Sequence, residues 1–107
     1  MSAMGPAKLV SVYINECDEW RRKPLHLELL RLLHDEGLAG ATLLRAVAGF
    51  TGKEGVQTTS LVDVGHKMPL VVQFVDSPEN VARVLPRIRE MAPRRLITIA
   101  EVEVVPE

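Results

Sequence analysis

Apolar and polar positions recur in two rhythms along this chain, and those rhythms predict its elements. From Lys8 to Asn15 the run KLVSVYIN is rich in β-branched residues, with Val10, Val12 and Ile14 on one face and Leu9 and Tyr13 on the other, which predicts a strand. Leu25, Leu29, Leu32 and Leu33 then recur at helical spacing behind Pro24, which suits a helix's first turn. Gly37 marks the stop, because glycine adopts the left-handed conformation found at helix ends. GATLLRAVAGF (Gly40 to Phe50) is apolar without a helix cap and predicts a second strand. Thr51 to about Gly65 has no period and reads as a long loop with one short strand-like piece at Ser60 to Val64. MPLVVQFVD (Met68 to Asp76) predicts a third strand.

A second helix follows. Ser77 is its expected N-cap, Pro78 sits in the first turn, and Val81, Val84, Leu85 and Ile88 form one apolar stripe. Pro86 lacks an N–H and crowds the carbonyl of Ala82, so a kink is expected there. RRLITIAEVEVV (Arg94 to Val105) predicts the fourth strand. The order β-α-β-β-α-β defines an α+β fold, the ferredoxin-like βαββαβ sandwich, with an antiparallel four-stranded sheet and two helices on one face. Residues 1–7 read as a disordered N-terminal tail and 8–107 as a single domain. LVSVYI, LLRAVAGF and LVVQFV are apolar on both faces, whereas two helices cover only one. A homo-oligomer that buries sheet against sheet is the simplest cover for the other.

Composition narrows the function classes. A net charge of −1 supplies no field for nucleic acid or an anionic membrane, and four aromatic residues make a poor base-stacking platform. No run approaches the roughly 18 apolar residues of a membrane span, and MSAMGPA is too short and mild for a signal peptide. The expectation is a cytoplasmic protein without membrane insertion. The one cysteine, Cys17, reads as a small core residue in a reducing compartment.

Candidate chemistry is sparse. His26, His34 and His66 form no recognised metal spacing. DEWRRK (Asp18 to Lys23) reads as a solvated turn with Trp20 folded onto the surface, or as an anion contact through Arg21 or Arg22. Glu101 and Glu103 share a strand face but have no partner nucleophile, and Thr58, Thr59 and Ser60 lack a base, so no catalytic set emerges. Arg94 and Arg95 follow a helix C-terminus, where they complement its dipole or bind phosphate. AGFTGKEGV (Ala48 to Val56) is the richest stretch. Gly49, Gly52 and Gly55 permit close backbone approach to a ligand, successive N–H groups can form an anion-binding concavity, and Lys53 adds charge. The spacing is not that of a Walker P-loop. A loop of about fifteen residues in so small a domain tends to be functional or disordered.

GLAGATLLRAVAGF, MPLVVQFVDS and ITIAEVEVV, in this order and with the long loop between the first two, resemble the domain of unknown function 190 family of the PII-like (GlnB-like) superfamily. The resemblance runs from about Leu9 to Val105 and implies a ferredoxin-like trimer. It also implies a switch loop after the second strand that contacts partner proteins, and adenine nucleotides bound in clefts between subunits beside that loop. Gly49 and Phe50 match the Gly-Phe-Gly start of a PII T-loop, with Thr51 where the second glycine would stand. MAPRRLITI lacks the glycine-rich phosphate loop that PII proteins carry before the last strand.

The sequence reading is therefore a PII-like homotrimer, not an enzyme, that binds a small anionic effector such as AMP, ADP or a cyclic adenine nucleotide. The implied contacts are Arg45, Gly49, Phe50, Gly52 and Lys53 at the loop base with Arg94 and Arg95 from a neighbouring strand. The 51–65 loop would dock a membrane transporter or an enzyme target. Two alternatives stand beside it: a ligand-free interaction protein of the same fold, and a CutA-type metal binder.

Overall fold

The computed structural model describes residues 5–51, 55–58 and 68–107. In chain order the elements are β1 (Gly5–Asn15), β2 (Glu19–Trp20), β3 (Lys23–Pro24), α1 (Leu25–Asp35), β4 (Thr42–Arg45), β5 (Ala48–Gly49), β6 (Gln57–Thr58), β7 (Pro69–Asp76), α2 (Pro78–Met91) and β8 (Leu96–Val104). β4, β7, β1 and β8 form, in that spatial order, a fully antiparallel four-stranded sheet. Val10, Val12 and Ile14 of β1 and Leu70, Val72 and Phe74 of β7 meet Leu25, Leu29, Leu32 and Leu33 of α1 and Val81, Val84 and Ile88 of α2 in one buried core. Both helices thus cover the same sheet face, as the apolar spacing predicts.

Local chemistry sets the helix ends. α1 stops in a Schellman motif: the Leu38 N–H donates to Leu33 O and the Gly37 N–H to His34 O, both at 3.1 Å, with Gly37 at φ 80°. The Ser77 hydroxyl accepts the Asn80 N–H at 3.2 Å and caps α2. Asp76, just before it, accepts the amides of Ala39 and Ser77 and the Asn80 side chain, each at 2.8 Å, so one carboxylate ties the α1–β4 connection to the start of α2. α2 runs on through Pro86 as one helix.

Three features differ from the sequence reading, and one expectation falls outside the described residues. The strand expected over Gly40 to Phe50 is two pieces. Its ladder on β7 ends where the Ala46 N–H reaches Pro69 O, Val47 stands exposed, and Ala48–Gly49 pairs instead with Gln57–Thr58. The strand-like piece expected at Ser60 to Val64 lies outside the described residues. β1 starts at Gly5, three residues before Lys8, because β8 offers partners as far as Val104. Cys17 is exposed and not a core residue: it stands in a tight turn after β1, where its N–H donates to Asn15 Oδ1 at 3.0 Å.

DEWRRK folds into the small β2–β3 hairpin. Trp20 packs against the core with the Arg21 guanidinium 4.9 Å above its ring, and Arg21 and Arg22 make the turn at φ 53° and 68°. Two positive φ values between paired Trp20 and Lys23 are the signature of a type I′ turn.

The second sheet face is open. Register places Leu44, Val71, Tyr13 and Leu96 side by side across it, with Val75, Leu9 and Ala100 further along. A polar row of Thr42, Gln73, Ser11 and Thr98 lies between, stitched by Gln73 Nε2 donating to Ser11 Oγ at 3.1 Å. Leu96 is 61% and Leu44 46% exposed, so the edges of this apolar face meet water in the single chain.

Candidate functional site

Where β1, β7 and β8 leave the sheet near the loop base, a groove of about 390 Å³ opens. Tyr13, Val71 and Leu96, neighbours across the open face, supply apolar wall. Ala48, Gly49, Phe50 and Thr51 form the loop side, and Arg94 and Arg95 the opposite side. The volume suits a small organic ligand. Gly49 has φ 154°, a backbone conformation that residues other than glycine rarely adopt, and Pro69 Cγ stands at ordinary contact distance, 3.6 Å, from the position a Cβ would take. Phe50 is 63% exposed at the rim.

The turn carrying the two arginines is built by a third. Arg89, in the last turn of α2, donates to the carbonyls of Ala92, Pro93 and Arg95 at 3.1, 3.2 and 2.9 Å. These carbonyls belong to the C-cap and the turn beyond it, and the Arg89 charge in the last helical turn takes the dipole role the sequence offers to Arg94 and Arg95. Arg94 is exposed and makes no ion pair among the described residues. Arg95 is held: its Nε donates to Asp18 Oδ2 at 2.7 Å and its Nη2 to Asp18 Oδ1 at 2.5 Å.

Asp18 is itself anchored. The Asn15 N–H donates to its Oδ2 at 3.0 Å, and the Asp18 N–H returns to Asn15 O at 3.0 Å. Fully buried Asn15 reaches Thr51 Oγ1 with its amide nitrogen at 3.5 Å. A polar chain thus runs from the first loop residue through the end of β1 to the arginine in the groove wall.

Of the sequence-predicted site residues, Gly49, Phe50, Arg94 and Arg95 come together in this groove. Arg45 does not line it: at the end of β4 its guanidinium pairs with Glu16. Gly52 and Lys53 lie outside the described residues. Tyr13, Thr51, Leu96, Asn15 and Asp18 are not among the residues the sequence nominates for the site. Only Asn15 carried a signal, as an Asx residue closing an apolar strand. Among the described residues no three His, Cys, Asp or Glu side chains cluster as a metal set, and no helix is long and apolar enough to cross a membrane.

In fold the molecule is similar to solved proteins of ferredoxin-like architecture that are described as PII-like. A Thermus thermophilus protein described as a PII-like signaling protein superposes with a TM-score of 0.69 at 23% identity, covering 95% of this chain and 92% of its own. CPII of Thiomonas intermedia, a nitrogen regulatory PII-like protein solved with ADP, AMP and bicarbonate, superposes at 0.68 with 17% identity over 92% and 88%. In sequence, residues 7–104 match the DUF190 family (Uncharacterized ACR), and the chain belongs to it. A UPF0166 protein of Aquifex aeolicus is 32% identical over 98 residues, 92% of each chain.

Proposed function

We propose that this chain is a PII-like regulatory protein, not an enzyme, whose groove binds an adenine nucleotide and whose 51–65 segment presents the result to a partner protein, a membrane transporter or an enzyme. The observation that carries this reading is the meeting of the loop base, Gly49 to Thr51, with Arg94 and Arg95 around one apolar-walled groove. The anionic part of a ligand would lie toward Arg94 and its ring against Tyr13, Leu96 and Phe50. ADP and AMP in CPII, a protein of the same fold, support an adenine nucleotide here. A ligand ordering the loop base would alter the surface that the loop offers, which is how a binding event becomes a signal.

The assembly proposed is a cytoplasmic homotrimer with each groove at a subunit cleft; the open apolar face supports a homo-oligomer in which sheet packs on sheet. Isothermal titration of the protein with AMP, ADP, ATP and cyclic AMP is the direct test. Micromolar to millimolar binding of at least one is expected, and heats indistinguishable from dilution for all four would overturn the nucleotide assignment. Sedimentation as a monomer would overturn the assembly.

A further inference from the structure

Resting on the nucleotide reading, we propose that Asp18 is a specificity-determining residue: by neutralising Arg95 it restricts the groove to ligands of low charge, nucleoside monophosphates over triphosphates. The charged side chains lining the groove, among the described residues, are Arg94 and Arg95. They do not count equally. The Arg95 fork is engaged by both oxygens of Asp18, and the two side chains are only 21% and 17% exposed. Solvent screens such a pair little, and at the distance of a ligand its two opposite charges largely cancel.

Asp18 cannot follow Arg95 toward a ligand. Its carboxylate accepts the Asn15 N–H, and its backbone is bound at both ends, by its own N–H to Asn15 O and by the Leu25 N–H to its carbonyl at 2.9 Å. A polyanion that claimed Arg95 would leave a half-buried carboxylate behind without its counter-charge, a loss that a triphosphate's extra contacts must offset. A monophosphate needs only Arg94, which is exposed and makes no ion pair among the described residues. Among the described residues the rest of the wall, with Tyr13, Phe50, Val71 and Leu96, offers mainly apolar area and no further charged side chain.

The test is a titration of AMP and ATP against the wild-type chain, Asp18→Asn and Arg94→Gln, with folding followed by circular dichroism. Wild type is expected to prefer AMP. Asp18→Asn removes the carboxylate charge beside Arg95 and should tighten ATP about tenfold relative to AMP, the order of one charge-assisted contact. Arg94→Gln, at an exposed position, should weaken AMP about tenfold and carries the test should Asp18→Asn fail to fold. A wild-type preference for ATP, an AMP-to-ATP ratio unchanged in Asp18→Asn, or undiminished AMP binding in Arg94→Gln overturns the role of Asp18 while leaving nucleotide binding intact. Wild-type protein that binds neither nucleotide overturns both readings together.

Discussion

Arg95 and Asp18 stand 77 residues apart in sequence, yet the guanidinium of one grips both carboxylate oxygens of the other at 2.5 and 2.7 Å. The pair locks the turn after α2, whose Arg94 and Arg95 line the groove, to the turn after β1. Its fork geometry makes it stronger than a single-contact surface ion pair.

A double-mutant cycle with Asp18→Asn and Arg95→Gln, followed by urea denaturation, should give a coupling free energy of about 1–3 kcal/mol. A coupling near zero would show that the two turns hold their places without it.

Gly37 sits at φ 80° in the Schellman motif that ends α1, with open space where a Cβ would be. Gly37→Ala should cost about 1 kcal/mol through backbone strain alone, which for a domain of this size lowers the melting temperature by about 4–8 °C. An unchanged melting curve would show that the turn relaxes to another conformation.

The hairpin turn Arg21–Arg22 predicts a gain. Both residues hold positive φ, and a type I′ turn favours glycine at its second position. Arg22→Gly keeps Arg21 over Trp20 and should stabilise the fold by about 0.5–1 kcal/mol in chemical denaturation.

Asp76 makes stability depend on acid. Burial by itself would raise its pKa, but the amide of Ala39, the Asn80 side chain, the amide of Ser77 and the charge of Arg83 prevail and hold it below the ordinary carboxylate value. The folded state therefore binds the proton less readily than the unfolded chain. The stability this adds is complete above the unfolded pKa of about 4 and is lost as pH falls through the lower folded value. Thermal melts of wild type and Asp76→Asn from neutral pH downward should converge below pH 4, and a constant gap would contradict the linkage.

Much of this architecture is legible in the chain because the signals are local. The leucine spacing of α1, the Ser77 cap, the Gly37 stop and the β-branched run of β1 each specify backbone geometry within a few residues, and each matches the structure. The doubly apolar sheet is likewise visible from alternation alone. The break between β4 and β5 is not, because Leu43, Leu44 and Ala46 read as one apolar run and only the end of the β7 partner decides where pairing stops. Cys17 fails for a related reason: its exposure follows from the turn closed by the Asn15 side chain.

The groove divides the same way. Its glycine, aromatic and arginine components stand out in AGFTGKEGV and MAPRR by residue type, and the family follows from the order of such segments. What those arginines can do was decided by tertiary structure. Asp18 and Arg95 meet because β1 and β8 are antiparallel neighbours, and Glu16 meets Arg45 because the end of β4 lies near the end of β1. A charge in sequence is only a charge; whether it is available to a ligand depends on which opposite charge the fold places beside it, and that is a long-range property of packing.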